Sequence, residues 1–315
     1  MKAGEGVMAH SSFFFEATDG KSIFVNKWIL NDNPKGIIQL AHGMGEHSGR
    51  YAHFAEELNR NGYIVYANDH RGHGQTADSK EELGHFGDEN GWEKTVSDMG
   101  QLSTIIKKDH VGLPLFLFGH SMGSFLARRY IQRFGDEIKG LILSGTGSDQ
   151  GIVSTLGIQV AKLEVAIKGG RTRSVLMNEL SFGQFNRKFK PTRTPYDWLS
   201  RDEEVVNQYI LDPLCGEIST AAFFRDLLIG VKKLDQPDLL AQAPKSLPIY
   251  FFSGEKDPVG ANSKGVYKTI DHYKKAGFKH IEYRFYQNGR HEMLNELNKE
   301  EVYQDIIEWL GRYNH

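Results

Sequence analysis

The sequence predicts an α/β protein whose mostly parallel sheet carries helices on both faces and is interrupted by an inserted helical cap. Three observations predict it. Strand-like and helix-like segments alternate through the first half of the chain. The pentapeptide Gly119-His120-Ser121-Met122-Gly123 joins an apolar run, Leu115 to Phe118, to a helix-like segment from Phe125 to Tyr130. The strand rhythm then stops after Ser144-Gly145 and resumes at Ile249, leaving residues 147–245 with helical periodicities and loops but no convincing strand. The core is accordingly assigned to 1–146 and 246–315, and the cap to 147–245.

Each element has its own signal. Phe13-Phe14-Phe15-Glu16 and Ser22-Ile23-Phe24-Val25 flank a turn at Asp19-Gly20 and read as a hairpin. Gly36 to Leu40 and Tyr63 to Ala67 read as strands separated by a helix over Ala52 to Asn61. A helix over about Trp92 to Lys108 leads to the strand at Leu115, and Leu141-Ile142-Leu143 gives another short strand. Beyond the cap, Ile249 to Phe252 and Ile281 to Tyr286 read as strands before a closing helix from Glu300 to Tyr313. Several of these strands are apolar on consecutive residues, which suits parallel strands covered on both faces.

Composition narrows the function. The chain has 315 residues, 39% hydrophobic and 25% charged, with a formal net charge of −2. That balance suits a soluble globular protein and gives no encouragement to nucleic-acid binding. Cys215 is the only cysteine, so an intramolecular disulfide and a multi-cysteine zinc cluster are excluded. The first ten residues lack the continuous apolar region of a secretory signal, and no run approaches the length of a membrane span. A cytoplasmic protein, at most peripheral at a membrane, is expected; oligomeric state is not readable.

The chemistry begins at Ser121. A strand turning sharply into a helix, with glycines on both sides of a serine, is a nucleophile elbow, and the glycines are expected to admit a backbone conformation that a Cβ would block. A serine nucleophile needs a base, and the base needs an acid to hold its tautomer. In the superfold that carries this elbow the chain order is Ser, Asp or Glu, then His. Four histidines follow Ser121, at 272, 280, 291 and 315. Only His291 sits in a loop just past the last strand, and it is the expected base. The acid should end the preceding strand, where Ser253 to Gly260 offers Asp257, held extended by Pro258, with Glu255 as runner-up. The oxyanion donors are expected to be the backbone amides of Met122, just after the nucleophile, and Met44, in the loop after the third strand. His42, His47, His53 and the stretch Asp69 to Gly74 match no zinc signature, and this mechanism needs neither metal nor cofactor.

Three motifs carry a resemblance: His42-Gly43-Met44-Gly45-Glu46-His47-Ser48-Gly49-Arg50-Tyr51, Asp69-His70-Arg71-Gly72-His73-Gly74-Gln75-Thr76, and Gly119 to Ser124. With these in order, the chain from about Phe13 onward resembles the monoacylglycerol lipase and lysophospholipase-like branch of the α/β-hydrolase superfamily, the serine aminopeptidase S33 type. The resemblance implies an eight-stranded sheet, a helical cap over the site, and hydrolysis of a carboxylic ester with one long acyl chain. By the match of motifs it implies the Ser121, Asp257, His291 triad and the Met44 and Met122 amides. Lysophospholipase and broad short-chain carboxylesterase are close rivals. A ligand-binding protein on a hydrolase scaffold is the alternative of another class.

The cap is expected to choose the substrate. Ile152 to Ile167 is apolar with polar residues at helical intervals, so Ile152, Leu156 and Val160 are candidates for one wall of an acyl tunnel, unless they pack on the core. From Lys168 to Arg193 seven basic residues (Lys168, Arg171, Arg173, Arg187, Lys188, Lys190, Arg193) face one acid, Glu179. That excess suggests peripheral contact with an anionic membrane, or simply a solvated basic face.

Overall fold

The computed structural model of the protein describes residues 8–30 and 33–314. Eight strands form one sheet in the order β1-β2-β4-β3-β5-β6-β7-β8. They are β1 (Met8–Glu16), β2 (Ser22–Leu30), β3 (Gly36–Ala41), β4 (Tyr63–Asn68), β5 (Leu115–His120), β6 (Gly140–Ser144), β7 (Ile249–Gly254) and β8 (Ile281–Tyr286). β1 and β2 make the antiparallel hairpin and β2 joins β4 antiparallel. Every later pairing is parallel, so the sheet is mostly parallel as the sequence predicts.

Side chains alternate across the central strands and feed two cores. Leu115 and Leu117 of β5 point to one face, Phe116 and Phe118 to the other, and Ile249/Phe251 and Tyr250/Phe252 of β7 do the same. Helices α2 (Gly91–Asp109), α3 (Met122–Phe134) and α9 (Lys264–Lys275) cover the first face through Met99, Leu126 and Tyr273. Helices α1 (Ala52–Arg60) and α10 (Lys299–Arg312) cover the second through Phe54, Leu58 and Trp309. β3 to β7 are buried along their whole length, which is why they read as apolar runs without alternation. β8 lies at the edge and presents Glu282 and Arg284, charges that discourage pairing with another sheet.

Residues 147–245 add no strand to the sheet. They form α4 (Ile152–Lys168), α5 (Val175–Phe182), α6 (Glu203–Leu211), α7 (Ala221–Lys233) and α8 (Pro237–Gln242), with a single β-bridge between Arg173 and Thr220. Helix α9, between β7 and β8, was not anticipated. Val266, Ile270 and Tyr273 sit on its buried face at helical spacing, but the intervening Lys and Asp residues break the apolar signal.

Candidate active site

The loops that follow β3, β5, β7 and β8 meet at the carboxyl ends of the strands, where open α/β sheets bind their ligands. β5 runs straight into α3 through Ser121, whose φ of 52° and ψ of −119° lie in a region that side chains rarely adopt. The positive φ belongs to the serine. Gly119 and Gly123 serve close approach instead: a Cβ on Gly119 would sit 2.5 Å from the carbonyl oxygen of Gly123, and one on Gly123 2.0 Å from that of Ala41. The motif therefore lets strand, helix and the end of β3 crowd together, and the strain falls on Ser121.

His291 and Asp257 come from the loops after β8 and β7. His291 Nδ1 lies 2.9 Å from Asp257 Oδ1, and both residues are buried. Asp257 Oδ1 also accepts from the Val259 amide at 2.9 Å, and Oδ2 accepts from Ser253 Oγ at 3.1 Å. A carboxylate so held makes Nδ1 the protonated nitrogen and leaves Nε2 with a lone pair. Burial alone would push His291 down, but the Asp257 charge and hydrogen bond, helped by Glu292 and Glu46, hold it above the ordinary imidazole range. Its ring packs against Trp198, with centroids 5.0 Å apart, and His120, at 4.7 Å. Gly145, at φ 58°, makes room: a Cβ there would lie 2.9 Å from His291 Cε1. Glu255 is exposed at the surface.

The loop after β3 is braced by a buried ionic network. Glu46 Oε1 accepts from the Gly43 amide at 2.6 Å and from Tyr51 Oη at 2.7 Å. Arg50 donates to Glu46 Oε2 at 2.7 Å and forks onto both oxygens of Glu292 at 2.8 Å. Arg50 thus ties the Met44 loop to the residue after His291. Burial would raise the Glu46 carboxyl, but Arg50, His120 and His42 hold it at about 2. The Met44 and Met122 amides have no acceptor among the described residues; Met44 lines the cavity over Ser121, and Met122, buried, follows the serine as the first residue of α3. Glu46, Arg50 and Tyr51 stood in a quoted motif but received no role; Trp198 and Glu292 carried no local signal at all.

A cavity of about 290 Å³ opens over Ser121 and His291. Met44, Phe182, Tyr196, Trp198, Leu199 and Ile218 supply its apolar walls, most of them from the region between β6 and β7. The three tunnel candidates are elsewhere. Ile152 and Leu156 are 79% and 62% exposed, and Val160 packs against the core. Helix α4 turns its inner face onto α7, with Gly157 close to Leu228, so its outer apolar side chains face away from the cavity.

The clustered histidines have other work. His42 gives Nδ1–H to Gly43 O at 2.7 Å and accepts the His70 amide on Nε2 at 2.9 Å, so neither nitrogen is left for a metal. His47, Asp212 and Cys215 bring ligand atoms within 4.8 Å of one another. However, His47 Nδ1 accepts from the Gly49 amide at 3.2 Å, which puts the proton on Nε2 facing Asp212 Oδ2 at 2.9 Å. Burial holds the Cys215 thiol protonated, well above its ordinary range. These three residues fit a hydrogen-bonded brace better than a metal site. Of the seven basic residues between 168 and 193, Lys168, Arg171, Arg173 and Arg193 pair with Glu164, Asp88, Glu217 and Glu203.

Comparison with known proteins agrees with this architecture. The model of the family described as serine aminopeptidase, S33, matches residues 32–298. A monoacylglycerol lipase from Mycolicibacterium smegmatis is 28% identical over 305 residues, 95% of this chain and 96% of the relative. The monoglyceride lipase of Homo sapiens is 27% identical over 299 residues, 93% of this chain and 88% of the relative. The crystal structure of a highly thermostable carboxyl esterase from Bacillus coagulans, in complex with glycerol, matches with a TM-score of 0.90 at 30% identity, over 98% of this chain and 100% of that one.

Proposed function

The chain belongs to the serine aminopeptidase, S33, family of α/β hydrolases, and within that family we propose that it cleaves single-acyl lipid esters, monoacylglycerol first among them, through an acyl-enzyme on Ser121. It is a carboxylic ester hydrolase: the relatives it matches along nearly their whole length are lipases and esterases. The observation that carries the mechanism is the buried 2.9 Å contact of Asp257 with His291, beside an elbow serine and under a partly apolar cavity.

In this reading His291 Nε2 takes the Ser121 hydroxyl proton as Oγ attacks the ester carbonyl. The Met44 and Met122 amides receive the oxyanion. The tetrahedral adduct collapses, His291 returns the proton to the departing glycerol oxygen, and the acyl group stays on Ser121. His291 then deprotonates a water that attacks the acyl-serine, releasing fatty acid and restoring the hydroxyl. Asp257 keeps Nδ1 protonated and, with Glu46 and Glu292 nearby, stabilises the imidazolium. A cavity of about 290 Å³ favours one acyl chain over two or three.

The region 147–245 acts here as the cap. Val153, Leu163, Ile167, Val175, Leu176 and Leu180 are exposed on α4 and α5, and with Ile152 and Leu156 they form an apolar face suited to a lipid surface. A peptidase reading would need an acid to hold a peptide amine. Four acids line the cavity: Glu46 and Glu292 are committed to Arg50, Glu217 is paired with Arg173, and Glu179 is exposed, so the ester reading is preferred.

The test is fatty-acid release from monoacylglycerols, lysophosphatidylcholines and short-chain esters, with Ser121→Ala as control. Preference for long-chain monoacylglycerol is expected. Activity confined to short esters would keep the mechanism and remove the lipid assignment. Absence of a fluorophosphonate adduct on Ser121 would favour a non-catalytic binder.

A further inference from the structure

A second cavity, of about 480 Å³, shares no lining residue with the first. Lys188, Arg201, Lys256 and Arg290 contribute four cations to its wall, and Asn262 and Asn288 two carboxamides; among the described residues no acid lines it. The cations arrive from three separate parts of the chain: the loop before α6, the loop after β7 and the loop after β8. Such convergence is not the trivial result of one basic stretch.

The fold fixes two of these charges and leaves two uncommitted. Arg201 gives Nε to Glu296 Oε2 at 2.8 Å and Nη2 to Asn298 Oδ1 at 2.8 Å. Arg290 donates Nη1 to the carbonyls of Asp197 and Ser200, and its guanidinium lies 4.5 Å from the centre of the Phe189 ring. Glu296, fully buried, is shared between the Arg201 side chain and the Arg290 backbone amide, so it offsets one positive charge. Among the described residues, Lys188 and Lys256 have no ion-pair partner. Burial, reinforced by the neighbouring Arg201 charge, holds Arg290 below its ordinary range even though Glu296 and Asp197 oppose the shift. The Oδ1 atom of Asn262 is buried without a hydrogen-bond partner.

Three uncompensated cations around one polar cavity repel each other, and the two exposed lysines hold ammonium donors that no protein acceptor engages. A phosphate dianion answers both demands. Its oxygens accept charge-assisted bonds from several directions at once. A carboxylate would bring one charge against three. We propose that the cavity bounded by Lys188, Arg201, Lys256 and Arg290 is a binding site for a phosphate-bearing anion, separate from the ester site.

The experiment uses the intact protein and reads binding rather than turnover. Titration with inorganic phosphate at constant ionic strength, balanced with chloride, should give saturable one-to-one binding. The double substitution Lys188→Gln/Lys256→Gln changes two residues outside every ion pair, so its melting temperature without phosphate should match the parent. Its phosphate affinity should fall about tenfold or more, the loss expected when two charge-assisted bonds are removed, while Lys188→Arg/Lys256→Arg should retain it. Vesicles of phosphatidylcholine with and without phosphatidic acid distinguish the sources. Vesicle binding that needs phosphatidic acid, is competed by inorganic phosphate and is lost in the Gln variant identifies a lipid headgroup; phosphate binding without vesicle binding identifies a soluble phosphate. Phosphate binding no stronger than chloride, or undiminished in the Gln variant, would overturn the proposal.

Discussion

At the scale of single residues, the proposed mechanism depends on a serine held in an unfavourable backbone conformation and a histidine whose two nitrogens would have different duties. Ser121→Ala removes the nucleophile while adding no bulk, so turnover should fall on the order of 10⁵-fold with the melting temperature nearly unchanged; near-parent turnover would discard the serine mechanism. Asp257→Asn should lower kcat by about 10⁴ because the amide can hold the wrong tautomer of His291. It should also move the pH profile. In the parent, Asp257 outweighs burial and raises His291 above 6.5, so the base becomes neutral, and activity rises, only as pH passes that raised value. Without the carboxylate charge burial dominates, and the acidic limb of kcat/KM should shift to lower pH. A limb that stays in place would mean that some other group titrates. The contact of Asp257 with His291 could be anticipated because each lies in the loop that follows a strand, β7 and β8. The network of Glu46, Arg50 and Glu292 could not, since Glu292 lies 242 residues from Arg50 in sequence and meets it only through loop packing.

At the scale of elements, the cap divides its labour in a way the sequence blurred. Helix α4 is apolar on several sides, and periodicity could not say which side meets substrate, core or solvent. Its inner side packs on α7, and the cavity wall comes instead from the end of α5 at Phe182 and the irregular chain around Tyr196 and Trp198. The outer side is left uncovered. Replacing Ile152, Val153 and Leu156 together by Ser should therefore reduce binding to phosphatidylcholine vesicles. At about 1 kcal/mol for each partly inserted side chain, the loss is somewhat more than a hundredfold. Activity on emulsified long-chain ester should fall with it, and hydrolysis of a soluble short-chain ester should hold. Equal vesicle binding by parent and variant would show that this face does not meet lipid.

For the whole molecule, the buried histidines predict a particular acid sensitivity. His42 and His120 are pushed down to about 4, His73 to about 3 and His70 well below its ordinary range, each chiefly by burial. All four stay neutral in the fold while the unfolded chain takes up protons near 6.5. Between pH 6.5 and about 4 the unfolded state thus binds more protons, and stability falls as pH falls, by up to about 1.4 kcal/mol per pH unit for each histidine. His291, raised by its carboxylate, runs the other way: its contribution is present below 6.5 and lost as pH rises through its folded value. Burial lowers His85 and His110 as well, so six histidines against one give the sign. The melting temperature should drop steadily from pH 6.5 to 4.5, and a flat profile would mean that these histidines are not buried neutral.

The sequence by itself determined the order of the strands along the chain, the helices that precede and follow the central ones, the interruption between β6 and β7, and the loops after β5, β7 and β8 that hold the candidate residues, because these follow from local apolar runs, turn residues and chain order; helix α9 escaped it. Only the tertiary structure decided what the cap presents to the cavity, which cations are neutralised, and how Arg50 links two loops. Those outcomes depend on the packing of segments far apart in the chain. Periodicity reports that a helix has an apolar face; it does not report whether that face meets another helix, a ligand or solvent, since the choice is made by whatever surface lies opposite.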